Sequence, residues 1–369
     1  MHADAWSFYH PSRILCGKNC IENHLKLHAY DKGKVLIITT RGAAKRGHLK
    51  EIEDHLCSDS CLVWDKVKPN PEMDDLDQAA SELEAFSSSS IIAVGGGSVL
   101  DTAKVLSIVL PCLIESPLHR YFRQGEKILF EKKISLTAIP TTSGSGAEVT
   151  PFATVWDTSS CKKYSLNHEL LYPEYVLLKP ELCVSLPRKE TLYSGLDMIS
   201  HALESLWNIN SSPITRSFAL QALNLANKSF STVLDNPEDI AGRKDMLHAS
   251  LLAGMAISQT RTAIAHSISY PLTARFNIPH GLACSFTLPE LIRSNISVFK
   301  DRGYFQTVQI TLDLLERLNL AQAVGEYAEK KQILSMTREM IHPERAGNYT
   351  GTANVNEVSR ILEKSLGLS

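Results

Sequence analysis

Asp197 and His201 stand four residues apart in the run Gly-Leu-Asp197-Met-Ile-Ser-His201-Ala-Leu-Glu, and His266 and His280 follow, the latter in Asn-Ile-Pro-His280-Gly. One carboxylate and three imidazoles form a donor set suited to a divalent transition metal. Residues i and i+4 share a helical face, so the first pair can grip a single ion. The bland alternative is an ordinary hydrogen-bonded helix pair and two unrelated core histidines. Donor chemistry by itself does not choose among iron, zinc, nickel and cobalt.

A second constellation is Val94-Gly95-Gly96-Gly97-Ser98-Val-Leu-Asp101-Thr-Ala-Lys104, which follows an apolar run and opens a helical stretch. Glycines let backbone approach phosphate oxygens, and a helix N-terminus adds free N–H groups and positive partial charge. Ser98-x-x-Asp101 reads as a capping box. The alternative is a tight strand-to-helix turn that binds nothing. A further loop, Pro140-Thr141-Thr142-Ser143-Gly144-Ser145-Gly146-Ala-Glu148, follows the next apolar run. Two such loops at adjacent strand ends suit a phosphorylated cofactor, though the second reads equally as a flexible connection.

The elements that must position these residues fall into two halves. Val35–Ile38, Cys61–Trp64, Ile91–Val94 and Leu136–Ile139 are short apolar runs separated by helical stretches, the pattern of a parallel sheet with crossover helices. The glycine turn thus follows the third strand of the β/α alternation. Phe152–Trp156 and Lys163–Leu166 flank Asp-Thr-Ser-Ser as a hairpin. From about residue 185 only helical spacing remains, as in Phe218/Ala222/Leu225, Leu314/Leu315/Leu318 and Val358/Ile361/Leu362. Met246–Ile257 is apolar nearly all round and reads as a central buried helix, and Ser87–Ser90 reads as a loop before a strand. The expected division is an α/β nucleotide-binding domain over 1–183 and an all-helical metal-binding domain over 184–369, with the boundary near Pro180 to Pro187.

Composition excludes several classes. The chain has 369 residues, 44% hydrophobic and 21% charged, with a net charge of -2, and no basic stretch interleaved with aromatics, so nucleic acid is not the expected partner. The opening lacks a secretory layout, and no run approaches the roughly 18 apolar residues of a membrane span, so a cytoplasmic location is expected. The eight cysteines include no Cys-x-x-Cys pair and read as small buried hydrophobes, with Cys16/Cys20 and Cys57/Cys61 poorly spaced for zinc.

Taken together the chain resembles the iron-containing (group III) alcohol dehydrogenases. The resemblance rests on Pro11-Ser-Arg-Ile-Leu-Cys-Gly17, Pro69-Asn-Pro71, the Gly-Gly-Gly-Ser98-x-x-Asp101-x-x-Lys104 turn, Pro-Thr-Thr142-Ser-Gly, the Asp197/His201 motif, His266 and Pro-His280-Gly. It implies a dehydroquinate synthase-like architecture with both ligands in the cleft between the domains, and reversible NAD(P)-dependent reduction of aldehydes or ketones. By the same resemblance Asp197, His201, His266 and His280 hold Fe²⁺ (Zn²⁺ in some members). Thr40, Gly95, Gly96, Gly97, Ser98, Asp101, Thr141, Thr142, Ser145 and Lys163 fall at cofactor-contact positions. A homodimer is left open.

Three departures bear on specificity. Relatives often carry a non-ligand histidine where this chain has Tyr270, and a phenol titrating near 10 against about 6.5 for imidazole does not replace a histidine proton relay; Tyr270 either donates a hydrogen bond to substrate or merely lines the pocket. Thr39-Thr40-Arg41 stands where NAD-preferring relatives place an aspartate, which tilts the expectation slightly toward NADPH or toward use of both cofactors. Arg261 and Arg275 occupy positions that are commonly small or apolar, so they are candidates for an anionic substrate group, with surface ion pairing as the alternative. The stretch Ser205–Pro213 resembles phosphonoacetaldehyde reductases. Phosphonoacetaldehyde, yielding 2-hydroxyethylphosphonate, is therefore the first expectation, ahead of succinic semialdehyde and then lactaldehyde or a plain alcohol. Dehydroquinate synthase and glycerol-1-phosphate dehydrogenase share the architecture, and an idle metal-binding scaffold is the non-enzymatic alternative.

Overall fold

Short β-branched runs with no polar face belong in the interior of a parallel sheet, covered on both sides. The computed structural model, which describes residues 5–27, 33–56, 60–160 and 162–368, builds that sheet. Its strands are β1 (Arg13–Cys16), β2 (Val35–Ile38), β3 (Cys61–Trp64), β4 (Ser90–Gly95), β5 (Ser135–Pro140) and β8 (Tyr175–Leu178). They lie in the order β1-β8-β5-β4-β2-β3, every pair parallel. Strands β6 (Phe152–Asp157) and β7 (Lys162–Asn167) form the expected antiparallel hairpin.

The four apolar runs read from the sequence are β2, β3, β4 and β5. The strands β1 and β8 were not expected, and with β1 in place the glycine turn follows the fourth strand rather than the third. From β2 the chain passes outward to β3, whereas from β4 it passes the other way to β5. The adjacent strands β2 and β4 therefore bound a topological switch point, the kind of place at whose carboxyl ends open α/β sheets bind their ligands. The in-register pairing of β4 with β5, Gly95 opposite Pro140, sets the two candidate loops side by side.

The chain divides into two compact units, one of residues 10–142 and 147–185, the other of residues 1–9, 143–146 and 186–369. The second is helical around its core. Its principal helices are Arg188–Leu206, Pro213–Asp235, Ile240–Thr260 and Ile264–Phe276. Leu196, Ile199, Leu203, Ala222, Phe230, Ala253, Ile264 and Ile268 are fully buried in its core. Met246, Ala249, Ala253 and Ile257 confirm the central helix read from composition. Among the described residues no helix is long and apolar enough to cross a membrane.

Candidate metal centre and nucleotide turn

The Arg188–Leu206 helix presents Asp197 and His201 one turn apart, both buried. The Ile264–Phe276 helix supplies His266, and His280 opens the short His280–Ala283 helix. Gly281 permits that delivery: a Cβ there would lie 1.8 Å from the Tyr193 carbonyl oxygen, so only glycine allows the segment so close to the first helix.

The three imidazoles converge on one oxygen. Nε2 of His201, His266 and His280 lie 3.5, 3.4 and 3.7 Å from Asp197 Oδ1. Donors bound about 2.0–2.2 Å from a tetrahedral ion stand roughly 3.3–3.6 Å apart, so this spacing suits one cation shared by all four groups. His280 is the most open of them, its side chain 31% exposed against 3% for His266. Burial raises the Asp197 carboxyl, but the surrounding imidazoles outweigh it and hold the group well below the usual carboxylate range. Burial pushes His201 down, against the pull of Asp197.

Behind His266 stands Glu204, which is fully buried. Its Oε2 lies 2.6 Å from His266 Nδ1, while Oε1 accepts from the Ala265 and His266 amides at 2.6 and 3.2 Å. A carboxylate on Nδ1 fixes that nitrogen as the N–H and turns the Nε2 lone pair toward the metal position. Burial lowers His266, yet Glu204 and Asp197 overcome this and raise it to about 9. The sequence reading quoted Glu204 only as part of the motif. Its signal was available, since positions 197, 201 and 204 follow the i, i+4, i+7 spacing of one helical face.

Cys284 was also missed. It is buried, and its thiol donates to Asp197 Oδ1 at 3.6 Å. Among the described residues, donor atoms of Asp197, His266, His280 and Cys284 all lie within 4.8 Å of one another, a grouping that takes in the thiol and not His201. Burial and Asp197 push this thiol well above its usual range. The reading of the cysteines as small buried hydrophobes holds at Cys20, Cys183 and Cys284, whereas Cys61 and Cys112 are only half-buried and Cys16 is exposed. Cys57 and Cys161 lie outside the described residues.

Tyr270 follows His266 by one turn, its ring 6.4 Å from that of His280. Burial pushes the phenol up to about 12, with Arg345 opposing. The arginines read as substrate contacts part company. Arg275 is at the surface, donating to Glu339 at 2.6 Å, which is the alternative weighed for it above. Arg261 ends the Ile240–Thr260 helix at φ 64, ψ 172, a region costly for a side-chain-bearing residue. Asn208 Nδ2 donates to its carbonyl at 3.1 Å and helps hold that conformation.

In the α/β unit, Gly95, Gly96 and Gly97 form the turn from β4 into the Gly97–Val109 helix. Gly96 is the N-cap and no side chain caps the helix, so the capping-box reading of Ser98 and Asp101 is not realised. Ser98 Oγ instead accepts from the Asn70 amide at 3.3 Å. Asp101 accepts from the Thr154 amide at 2.9 Å and pairs with fully buried Lys104 at 3.6 Å, which ties the helix to β6. The Thr141 amide donates to the Gly95 carbonyl at 3.0 Å, joining the two loops. A Cβ on Gly96 would meet Thr142 at 3.0 Å, so glycine keeps this cradle open. Thr40 caps the Arg41–Lys45 helix by accepting from Ala43 at 3.1 Å. Lys163 lies on β7 over the Trp156 ring. Ser145 groups with the helical unit.

The helical unit gathers one carboxylate and three imidazoles around a point, and the α/β unit carries a glycine turn at its switch point; these are the features of a metal- and nucleotide-using enzyme. The model for iron-containing alcohol dehydrogenase matches residues 11–180, and that for the C-terminal part of the same family matches residues 191–347. The chain is 34% identical over 288 residues to sulfoacetaldehyde reductase from Bilophila wadsworthia, covering 77% of this chain and 73% of that protein. It covers only 40% of aldehyde-alcohol dehydrogenase 2 from Entamoeba histolytica, at 28% identity over 88% of this chain. Among solved structures it superposes on sulfoacetaldehyde reductase from Bifidobacterium kashiwanohense in complex with NAD+ with a TM-score of 0.87, at 24% identity and with both chains fully covered. The chain belongs to the iron-containing alcohol dehydrogenase family and is an oxidoreductase.

Proposed function

We propose that this protein reduces a short anionic aldehyde to its primary alcohol with a nicotinamide cofactor, using a divalent ion held by Asp197, His201, His266 and His280. The observation that carries the reading is the meeting of three Nε2 atoms on Asp197 Oδ1, with Glu204 orienting His266 from behind. The ion, which we take to be Fe²⁺, would supply a Lewis acid for the substrate oxygen. Family membership and the relatives support a metal and NAD(H) in this chemistry.

The chain's own residues account for the rest. Asp197 brings negative charge to the cation, and the exposed edge of His280 marks where a small substrate gains access. The glycine turn at residues 95–97, with Ser98, Thr141 and Thr142, would take the pyrophosphate, since bare amides at a helix N-terminus favour anions. Arg41 stands 4.0 Å from Asp65, so this edge offers a cation for a 2′-phosphate and a carboxylate for a 2′-hydroxyl. Of the NADPH lean and the dual use left open by the sequence, we propose dual use.

For the substrate we retain phosphonoacetaldehyde, and we add its sulfonate analogue because the Bilophila wadsworthia relative is a sulfoacetaldehyde reductase. The test is a metal-reconstituted assay with NADH and NADPH across phosphonoacetaldehyde, sulfoacetaldehyde, succinic semialdehyde and propanal. The expected result is chelator-sensitive oxidation with kcat/KM highest for a two-carbon phosphonate or sulfonate. Turnover of propanal at equal or higher kcat/KM would reject the anionic substrate, and turnover untouched by metal removal would reject the centre.

A further inference from the structure

We propose that Arg345 binds the anionic group of the substrate. This rests on the reading of the substrate as an anionic aldehyde and assigns that anion a partner. The metal centre does not provide one. Asp197 and Glu204 together would balance the charge of a divalent ion held there, so a sulfonate or phosphonate entering beside it would need a further cation.

Arg345 answers that need by position. Its guanidinium lies 4.1 Å from the centre of the Tyr270 ring, and that ring also lies 6.4 Å from the ring of His280. The arginine is half-buried, and among the described residues it has no carboxylate within salt-bridge distance. The guanidinium lies over the Tyr270 ring and also hydrogen-bonds the Tyr270 side chain, and with five N–H groups it keeps donors to offer two oxygens of a tetrahedral anion.

The segment carrying it is also fixed. The His342 amide donates to Ser267 Oγ at 2.9 Å, and that hydroxyl donates to Met340 at 2.6 Å, so the approach to Arg345 is tied to the residue next to His266. On the other side Asn348 Nδ2 donates to the Thr262 carbonyl at 2.9 Å and to the Glu344 carbonyl at 3.0 Å. A cation anchored at both flanks loses little freedom on binding, which favours affinity. Tyr270 thereby has a place as the platform for Arg345.

The experiment compares kcat/KM for sulfoacetaldehyde and propanal in the metal-loaded wild-type enzyme and in Arg345→Leu and Arg345→Lys. Loss of one charged, bidentate contact should lower the sulfoacetaldehyde-to-propanal ratio by roughly 10–100-fold in Arg345→Leu, mainly through KM. Arg345→Lys should recover part of that ratio, which a variant damaged in folding would not do. A wild-type preference for sulfoacetaldehyde that survives unchanged in Arg345→Leu overturns the assignment while leaving the substrate reading intact. A wild-type enzyme without that preference overturns both. Calorimetric titration with 2-hydroxyethanesulfonate supplies a readout independent of turnover: binding weakened in Arg345→Leu supports the assignment, and equal binding contradicts it.

Discussion

Replacing Glu204 by Gln tests the centre without touching a ligand. The carboxylate spends one oxygen on His266 Nδ1 at 2.6 Å and the other on two backbone amides. An amide of the same shape cannot accept at both ends. If its oxygen stays on the two backbone N–H groups, its NH₂ faces Nδ1 and forces that nitrogen to accept. The proton then moves to Nε2, the atom that must offer its lone pair to the ion. If the amide turns over, its NH₂ opposes two backbone donors in a fully buried place. Loss of an outer carboxylate of this kind typically costs 10–100-fold in metal affinity, or about 1.4–2.8 kcal/mol. Equilibrium dialysis against a competing chelator, with His266→Ala as the reference for complete loss of the ligand, measures it directly. Affinity of Glu204→Gln equal to wild type, with His266→Ala clearly weakened, would refute the claim that Glu204 sets the tautomer.

Two further outcomes follow from other side chains. Arg275→Ala removes an exposed ion pair with Glu339, so stability should change by less than about 1 kcal/mol and the anionic-to-neutral preference should persist; a collapse of that preference would return Arg275 to the substrate. Glu148 is buried in the α/β unit and burial raises its carboxyl to about 7. A raised carboxyl favours the fold below its unfolded pKa near 4.5, and that contribution fades as pH climbs through about 7. Glu148→Gln should therefore gain stability relative to wild type between pH 5 and pH 8, by up to about 3 kcal/mol. Urea unfolding at the two pH values measures the difference, and a gap that stays flat or narrows counts against it.

The inner sheet and the helical half were legible because burial on all sides leaves an unmistakable record. The Val35–Ile38 run is wholly buried, as are Ile91 to Val94. Strand β1 is the counterexample: an edge strand with exposed ends and an arginine at its start, it carries no such pattern. At the centre, Asp197, His201, His266 and His280 announced themselves by residue type. Glu204 was readable only from its i, i+7 spacing to Asp197, and Cys284 and Arg345 gave no such sign, because only folding brings them beside Asp197 and Tyr270. The capping box failed for a related reason: Asp101 had a stronger claim on it from the Thr154 amide, distant in sequence.

His266 and His280 come from segments well separated in sequence from the helix that bears Asp197 and His201. A cation gripped by all of them would act as a rivet, closing two long loops of chain at a single point. Preferential binding to the folded form makes metal supply a lever on persistence as well as on turnover.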